Sequence, residues 1–435
     1  MNQLQTHPIS KIHGEYSPPG DKSISHRLAM LGALAEGESR FSRFLVADDC
    51  LRTIKAFQAM GVKFDLNEES GRSQTASLTV HGVGLHGLKK PPHKLDLGNS
   101  GTSMRLLLGI LAGQPFETHL IGDNSLCERP MRRVIEPLRK MGARIEGRDN
   151  ASYAPLTIKG GFLSGISWQN KVSSAQVKSA ILLAGLYADG QTTVIEDIPS
   201  RDHTERLLEV VGVPVRKSNY TISVQKAERL KAIHCDVPGD ISSAAFFIVA
   251  GLLVPNSDLR IKNVGLNPTR IGLIEILKSM GANLEVTVVE NHGEPIGEIR
   301  IRTSRLKGCT ITKDSIPTLV DELPILMVAS ALAEGTSLIQ GAEELRVKET
   351  DRIHSMVTGL NAIGGKASER SDGCVIEGVQ EFQGGTVSSF GDHRTAMSFL
   401  IAGLRSKQGV TVHETDCIQT SYPGFMLDLE AVSKN

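Results

Sequence analysis

No run of this chain is long and apolar enough to cross a bilayer. Its most apolar stretch, residues 244–254, falls far short of the ~20 residues a spanning helix needs. The opening MNQLQTHPIS has no basic segment followed by an apolar one, so no signal peptide is expected. Cysteines are few, six in 435 residues, and none stands in a CxxC pair. Cys50, Cys127, Cys235, Cys309, Cys374 and Cys417 therefore read as reduced thiols of a cytoplasmic protein, with neither a disulfide frame nor a structural zinc site. Charge of one sign is also missing. Lys+Arg and Asp+Glu are both 48, so no bulk field attracts nucleic acid, and neither a nucleic-acid nor a membrane partner is expected. GxxxxGK[ST] occurs nowhere in the chain, which removes the P-loop nucleotide site.

What remains is an ordinary globular balance, 40% hydrophobic and 22% charged, in a chain too long for one core. Its organisation lies in internal repeats. Five helical segments end in an apolar residue plus glycine, at Gly61, Gly142, Gly212, Gly281 and Gly364, spaced 81, 70, 69 and 83 residues apart. Upstream, Met131, Val134, Ile135, Leu138 and Met141 fall at the same offsets as Ile353, Met356, Val357, Leu360 and Ile363, one face of an amphipathic helix. Between these segments lie six runs apolar nearly all round, such as GTSMRLLLGILAGQ and ISSAAFFIVAGLLVPN, the pattern of a helix buried on every side. Each repeat is thus buried helix, strand, amphipathic helix, strand, over roughly 75 residues. The sixth copy lacks its final strands, and residues 1–20 are expected to complete it. Three repeats per domain give 21–232 for one domain, and 1–20 with 233–435 for a second, discontinuous one.

Polar residues crowd the starts of these helices. A helix N-terminus carries unpaired N–H groups and the positive end of the dipole, which together favour anions. Asp21, Lys22, Ser23 and Arg27 open the first buried helix, Asn99 to Arg105 the second, Ser174 and Gln176 the third, Asp321 the fifth and Arg394 the sixth. Arg129, Arg201, Lys348, Glu349 and Arg352 open amphipathic ones. Arg suits bidentate recognition of carboxylate and phosphate. Taken singly, Ser23, Ser174 and Asp321 also read as plain N-caps, and Lys348 with Arg352 as one exposed helix face. Recurrence of cations and caps at one end of repeats from both domains favours an anionic ligand.

The motifs GDKSISHR, LGNSGTSMRLL, GDNSLCERPM, SSAQVKSAILLAGL, SRDHTE, VDELPILMVA, ELRVKETDR and GDHRTAMSFL, in this order, resemble the EPSP synthase family, in its class II branch. The resemblance runs from about Pro18 to about Phe425. It implies an α/β fold of two inverse domains, each of three βαβαββ-like repeats, that close on the substrates. It implies transfer of the enolpyruvyl group of phosphoenolpyruvate to the 5-hydroxyl of shikimate 3-phosphate in aromatic amino-acid biosynthesis, without metal or organic cofactor, by a monomer. Carried over residue by residue, Lys22, Ser23, Arg27, Ser174, Gln176, Arg201, Asp321 and Lys348 would contact shikimate 3-phosphate. Lys22, Asn99, Gly101, Arg129, Gln176, Arg352 and Arg394 would hold phosphoenolpyruvate or, in its place, the inhibitor glyphosate. Asp321 would act as hydroxyl base, with Glu349 and Lys22 serving protonation at C3.

Two features set limits on the resemblance. Many class I members carry a Lys just before the terminal aromatic-Pro pair, where this chain reads Thr420-Ser421-Tyr422-Pro423. The alternative, the enolpyruvyl transferase acting on UDP-N-acetylglucosamine, shares the fold but uses a loop Cys five residues before its Arg-Pro pair. Here Cys127 lies two before Arg129-Pro130. An RNA-end cyclase or a binding module would lack the Lys22, Asp321 and Glu349 set.

Overall fold

The structure is a computed structural model and describes residues 2–68, 75–171 and 173–434. It divides into two compact units. The first is Gly20–Ser70 with Thr75–Val237, and the second joins Met1–Pro19 to Pro238–Asn435. Each has its own apolar core, one built from residues between Ile24 and Val237, the other from Ile12 and Tyr16 with residues between Ile241 and Val432.

The apolar runs form the helices at the centre of these cores. In the first unit they are α1 (Lys22–Leu34), α3 (Gly101–Ala112) and α5 (Ala175–Gly185). In the second they are α7 (Ile241–Leu253), α9 (Leu323–Ala331) and α11 (His393–Gly403). All thirteen residues of α7 are buried, as a helix apolar on every side requires. The amphipathic helices are α2 (Asp48–Ala59), α4 (Arg132–Met141), α6 (His203–Val210), α8 (Gly272–Ser279) and α10 (Arg352–Ala362); α12 (Phe425–Ser433) ends the chain. Both apolar stencils named above are buried throughout. The five closing glycines all adopt positive φ, between +87° and +117°, a conformation that an L side chain strains.

Among the described residues the strands form six sheets, one per repeat. In each, a short leading strand runs parallel to the strand that follows the buried helix. In the first unit, Leu95–Asp96 leads Glu117–Ile121, and Ser167–Asn170 leads Gln191–Glu196. The third leader there is His234–Asp236, past residue 232, which pairs with Glu36–Leu45. In the second unit the strand Gln3–Thr6 lies antiparallel to Val410–His413, whereas His13–Tyr16 leads a different sheet, parallel to Asp258–Gly265. No helix among the described residues is long and apolar enough to cross a membrane.

Candidate active site

In the first unit the starts of α1, α3 and α5 are tied to one another by side chains. Asp21 caps α1 by accepting from the Ile24 N–H at 2.9 Å. Lys22, the first residue of the helix, sets its Nζ 3.1 Å from Asp49 Oδ2 in the first turn of α2. Arg27, one turn on and buried, donates to the Ser23 carbonyl at 2.9 Å, to Thr204 Oγ1 at 2.7 Å and to Ser179 Oγ at 2.8 Å. Its head is thus fixed by hydroxyls of α5 and α6.

The start of α3 is the densest cationic point. Ser100 caps the helix through Ser103 N–H, and Gly101 is its first residue. Asn99 donates from Nδ2 to Asp123 Oδ2 at 2.8 Å, while its Oδ1 accepts from Arg129 Nη2. A Cβ built on Gly101 would lie 3.1 Å from Arg129 Nη1 and 3.3 Å from Arg105 Nη1. Two buried guanidinium groups therefore converge on the Gly101 backbone, an arrangement of like charges that an anion would relieve. Arg105 donates to Gln176 Oε1 at 2.5 Å and to the Pro130 carbonyl at 3.2 Å, and Gln176 donates to Thr102 Oγ1 at 3.0 Å. Ser174 occupies the cap position of α5, but its side chain makes no capping bond. Arg201 lies half-buried in the segment before α6. The Cys127 thiol, half-buried, donates to the Gly122 carbonyl at 3.5 Å.

Behind this surface Lys178 is buried between Glu196 and Glu205, 2.8 Å from each. Burial works against the Lys178 ammonium, yet the two carboxylates hold its proton above the ordinary range. Burial likewise pushes the Glu205 carboxyl up, against the pull of Lys178. Glu205 of the SRDHTE motif is thereby a structural group.

The second unit gathers the other predicted residues around Arg352, which is 1% exposed. Its Nε lies 2.7 Å from Asp392 Oδ2, its Nη2 2.7 Å from Glu349 Oε2 and its Nη1 3.5 Å from Asp321 Oδ1. Burial opposes the charge of Arg352, but Asp392, Glu349 and Asp321 together raise its pKa. Arg394 donates to the Asp321 carbonyl at 3.0 Å and approaches its Oδ2 at 3.8 Å. Lys348 lies 3.7 Å from Glu344; burial pulls its ammonium down, with Glu344 and Asp321 opposing. Asp321 and Glu349 keep 18% and 21% of their side chains exposed, enough to meet a ligand. The neighbouring Glu322 is buried and accepts from Ser242 Oγ. Of the two acids at the start of α9, only Asp321 faces outward.

Arg105 and Asp392 stand among the polar residues at helix starts, but sequence reasoning assigned neither a role at the site. Arg105 lies one helical turn past Gly101 within LGNSGTSMRLL, a spacing that places both on one helix face. Asp392 lies inside GDHRTAMSFL, where it reads as a cap. Its bond to Arg352, forty residues away, leaves no local pattern.

The fold is that of the enolpyruvyl transferases. The enolpyruvyl transferase NikO from Streptomyces tendae matches it with a TM-score of 0.79 at 16% identity, over 99% of this chain and 97% of that one. A family model described as EPSP synthase (3-phosphoshikimate 1-carboxyvinyltransferase) matches residues 6–429. The 3-phosphoshikimate 1-carboxyvinyltransferase of Pelobacter propionicus is 51% identical over 99% of this chain and 98% of its own. That of Methylococcus capsulatus is 52% identical over 96% and 94%. The EPSP synthase structure from Acinetobacter baumannii matches with a TM-score of 0.86 at 44% identity, over 99% of this chain and 98% of that one. This chain belongs to the EPSP synthase family.

Proposed function

We propose that this chain transfers the enolpyruvyl group of phosphoenolpyruvate to the 5-hydroxyl of shikimate 3-phosphate and releases phosphate. The observation that carries the reading is the pair of partly exposed carboxylates, Asp321 and Glu349, held on one buried guanidinium. The reaction needs two proton-transfer groups with different tasks. A proton from Glu349 to C3 makes C2 electrophilic, and the 5-oxygen attacks C2 while its proton passes to Asp321. Phosphate then leaves C2 and the proton leaves C3, which restores the double bond. Lys22, Arg105 and Arg129 in the first unit, and Arg394 in the second, supply the positive charge that two multiply charged anions require. Ser23, Arg27, Ser174, Gln176, Arg201 and Lys348 are assigned to shikimate 3-phosphate. Asn99, Gly101 and Arg352 are assigned to phosphoenolpyruvate. For Arg352 this requires the ligand carboxylate to displace Asp321 or Glu349 from a guanidinium that three acids already engage.

We place the enzyme in the cytoplasm as a monomer, and its six free cysteines suit a reducing compartment. Phosphate release measured with phosphoenolpyruvate and either shikimate 3-phosphate or UDP-N-acetylglucosamine tests the reading. Turnover is expected with the first acceptor only, and release with the second alone would overturn it.

A further inference from the structure

Beneath the start of α3 runs a buried chain of hydrogen bonds that crosses three helices. His26 Nδ1 of α1 lies 2.8 Å from Thr53 Oγ1 of α2. Thr53 Oγ1 lies 2.7 Å from Ser103 Oγ of α3, and Ser103 Oγ lies 2.7 Å from Ser100 Oγ. All four side chains are 0% exposed. The chain ends on the residue that caps α3, between Asn99 and Gly101. Asn99 is the partner of Arg129, and Gly101 is the point on which Arg129 and Arg105 converge.

A buried polar chain costs desolvation at every member, and an apolar set of the same shape would pack as well. Its presence calls for a return in position. His26 is held neutral, because burial, then Lys22 and Arg27, push its pKa well below the ordinary value. Its Nε2 is buried with no hydrogen-bond partner, so a charged imidazolium would strand a bare N–H there. A neutral ring still offers Nδ1 to Thr53. The hydroxyls then fix the rotamers of Ser103 and Ser100, and with them the turn before α3.

We propose that His26, Thr53, Ser103 and Ser100 form a positioning device that sets the Asn99–Gly101 turn and the Arg129 guanidinium for the phosphoenolpyruvate anion. None of the four is a catalytic residue. The inference rests on the functional reading above and adds to it the residues that hold the anion site in register.

The test cuts the chain at its middle, away from the residues assigned to substrate. Thr53→Val keeps the shape and removes the hydroxyl, Ser103→Ala cuts the next link, and Thr53→Ser keeps the link. Thr53→Val is expected to raise KM for phosphoenolpyruvate about tenfold, the sensitivity expected of a misplaced ligand clamp. KM for shikimate 3-phosphate should change less than about twofold on the same ground. Thr53→Ser should restore the parent value. Because the links act in series, Thr53→Val with Ser103→Ala should cost no more than either alone. Purely structural roles would instead lower Tm while leaving both KM values, or would add in the double variant, and either result overturns the proposal. If Thr53→Val does not fold, Ser103→Ala and Thr53→Ser carry the same comparison. Wild-type turnover is measured first. Its absence is a failure of the functional reading, whereas turnover that no cut disturbs is a failure of this inference.

Discussion

At Gly101 a single missing methyl decides how closely two guanidinium groups approach a helix start. An alanine Cβ would sit 3.1 Å from Arg129 Nη1 and 3.3 Å from Arg105 Nη1, so both heads must shift by tenths of an ångström. Overpacking of this kind costs roughly 1–3 kcal/mol, and each ~1.4 kcal/mol is tenfold in affinity. Glyphosate, which the family resemblance places in the phosphoenolpyruvate site, is the longer ligand and has less room to adjust. Gly101→Ala should therefore weaken glyphosate inhibition at least about tenfold and raise KM for phosphoenolpyruvate by less, read from inhibition and Michaelis constants. Equal losses of both would assign Gly101 to the turn alone. Asp321→Asn and Glu349→Gln should each lower kcat by about two orders of magnitude or more with KM little changed, whereas Cys127→Ser should retain most activity. His26 gives a pH signature. Its folded pKa lies well below the ordinary 6.5, so below pH 6.5 the unfolded chain binds a proton that the folded chain does not. Stability is then present above that pH and is lost as pH falls, by about 1.4 kcal/mol per unit. As pH falls below 6.5, wild type should lose more stability than His26→Asn in urea unfolding. Parallel losses would mean that His26 is not the group responsible.

Among the elements, α11 shows one residue serving two structures. Asp392 Oδ1 accepts from the N–H groups of Arg394 and Thr395 at 2.7 and 3.3 Å, which caps the helix. Its Oδ2 meets Arg352 Nε at 2.7 Å. Removing one partner of a buried ion pair costs about 3–5 kcal/mol and a lost cap about 1 kcal/mol. Asp392→Ala should therefore lower stability by several kcal/mol. Asp392→Asn keeps the cap and should be milder, while still freeing Arg352 from its fixed orientation and lowering kcat/KM for phosphoenolpyruvate. Denaturant unfolding beside steady-state kinetics separates the two; because both variants lose the ion pair, equal stability would reject the capping term. The cap was legible because Asp before an apolar run is a local pattern; the ion pair spans forty residues and has none. The same contrast holds for the fold at large. The six buried helices could be read because all-round apolarity persists for a dozen residues, and the five closing glycines because a left-handed terminus selects them. The leading strands were not legible. Leu95–Asp96 and Thr310–Ile311 have two residues each, too few for any alternation to register.

For the molecule as a whole, the chain's first residues belong to cores built more than two hundred residues later. The strand Gln3–Thr6 pairs with Val410–His413, and His13–Tyr16 with Asp258–Gly265. Tyr16 stacks on Phe247 at 4.1 Å between ring centroids. Its hydroxyl lies 2.5 Å from that of Tyr422, which in turn donates to Asp428 at 2.7 Å. Deleting residues 1–19 would strip a strand from each of two sheets in the second unit and open the aromatic cluster around Phe247 and Phe425. Loss of one buried aromatic alone costs about 3–5 kcal/mol, a large share of a domain's stability. The first unit has its own core between Ile24 and Val237 and loses nothing from it. The chain's single tryptophan, Trp168, packs against that core and so reports on the first unit alone. On deletion, the Trp168 fluorescence transition should keep its midpoint while far-UV circular dichroism loses an early-melting fraction, and turnover should vanish with the second unit's Asp321 and Glu349. Supplying residues 1–19 as a separate peptide should restore part of the lost ellipticity. A Trp168 transition that falls together with the rest would mean that the first unit does not stand on its own core.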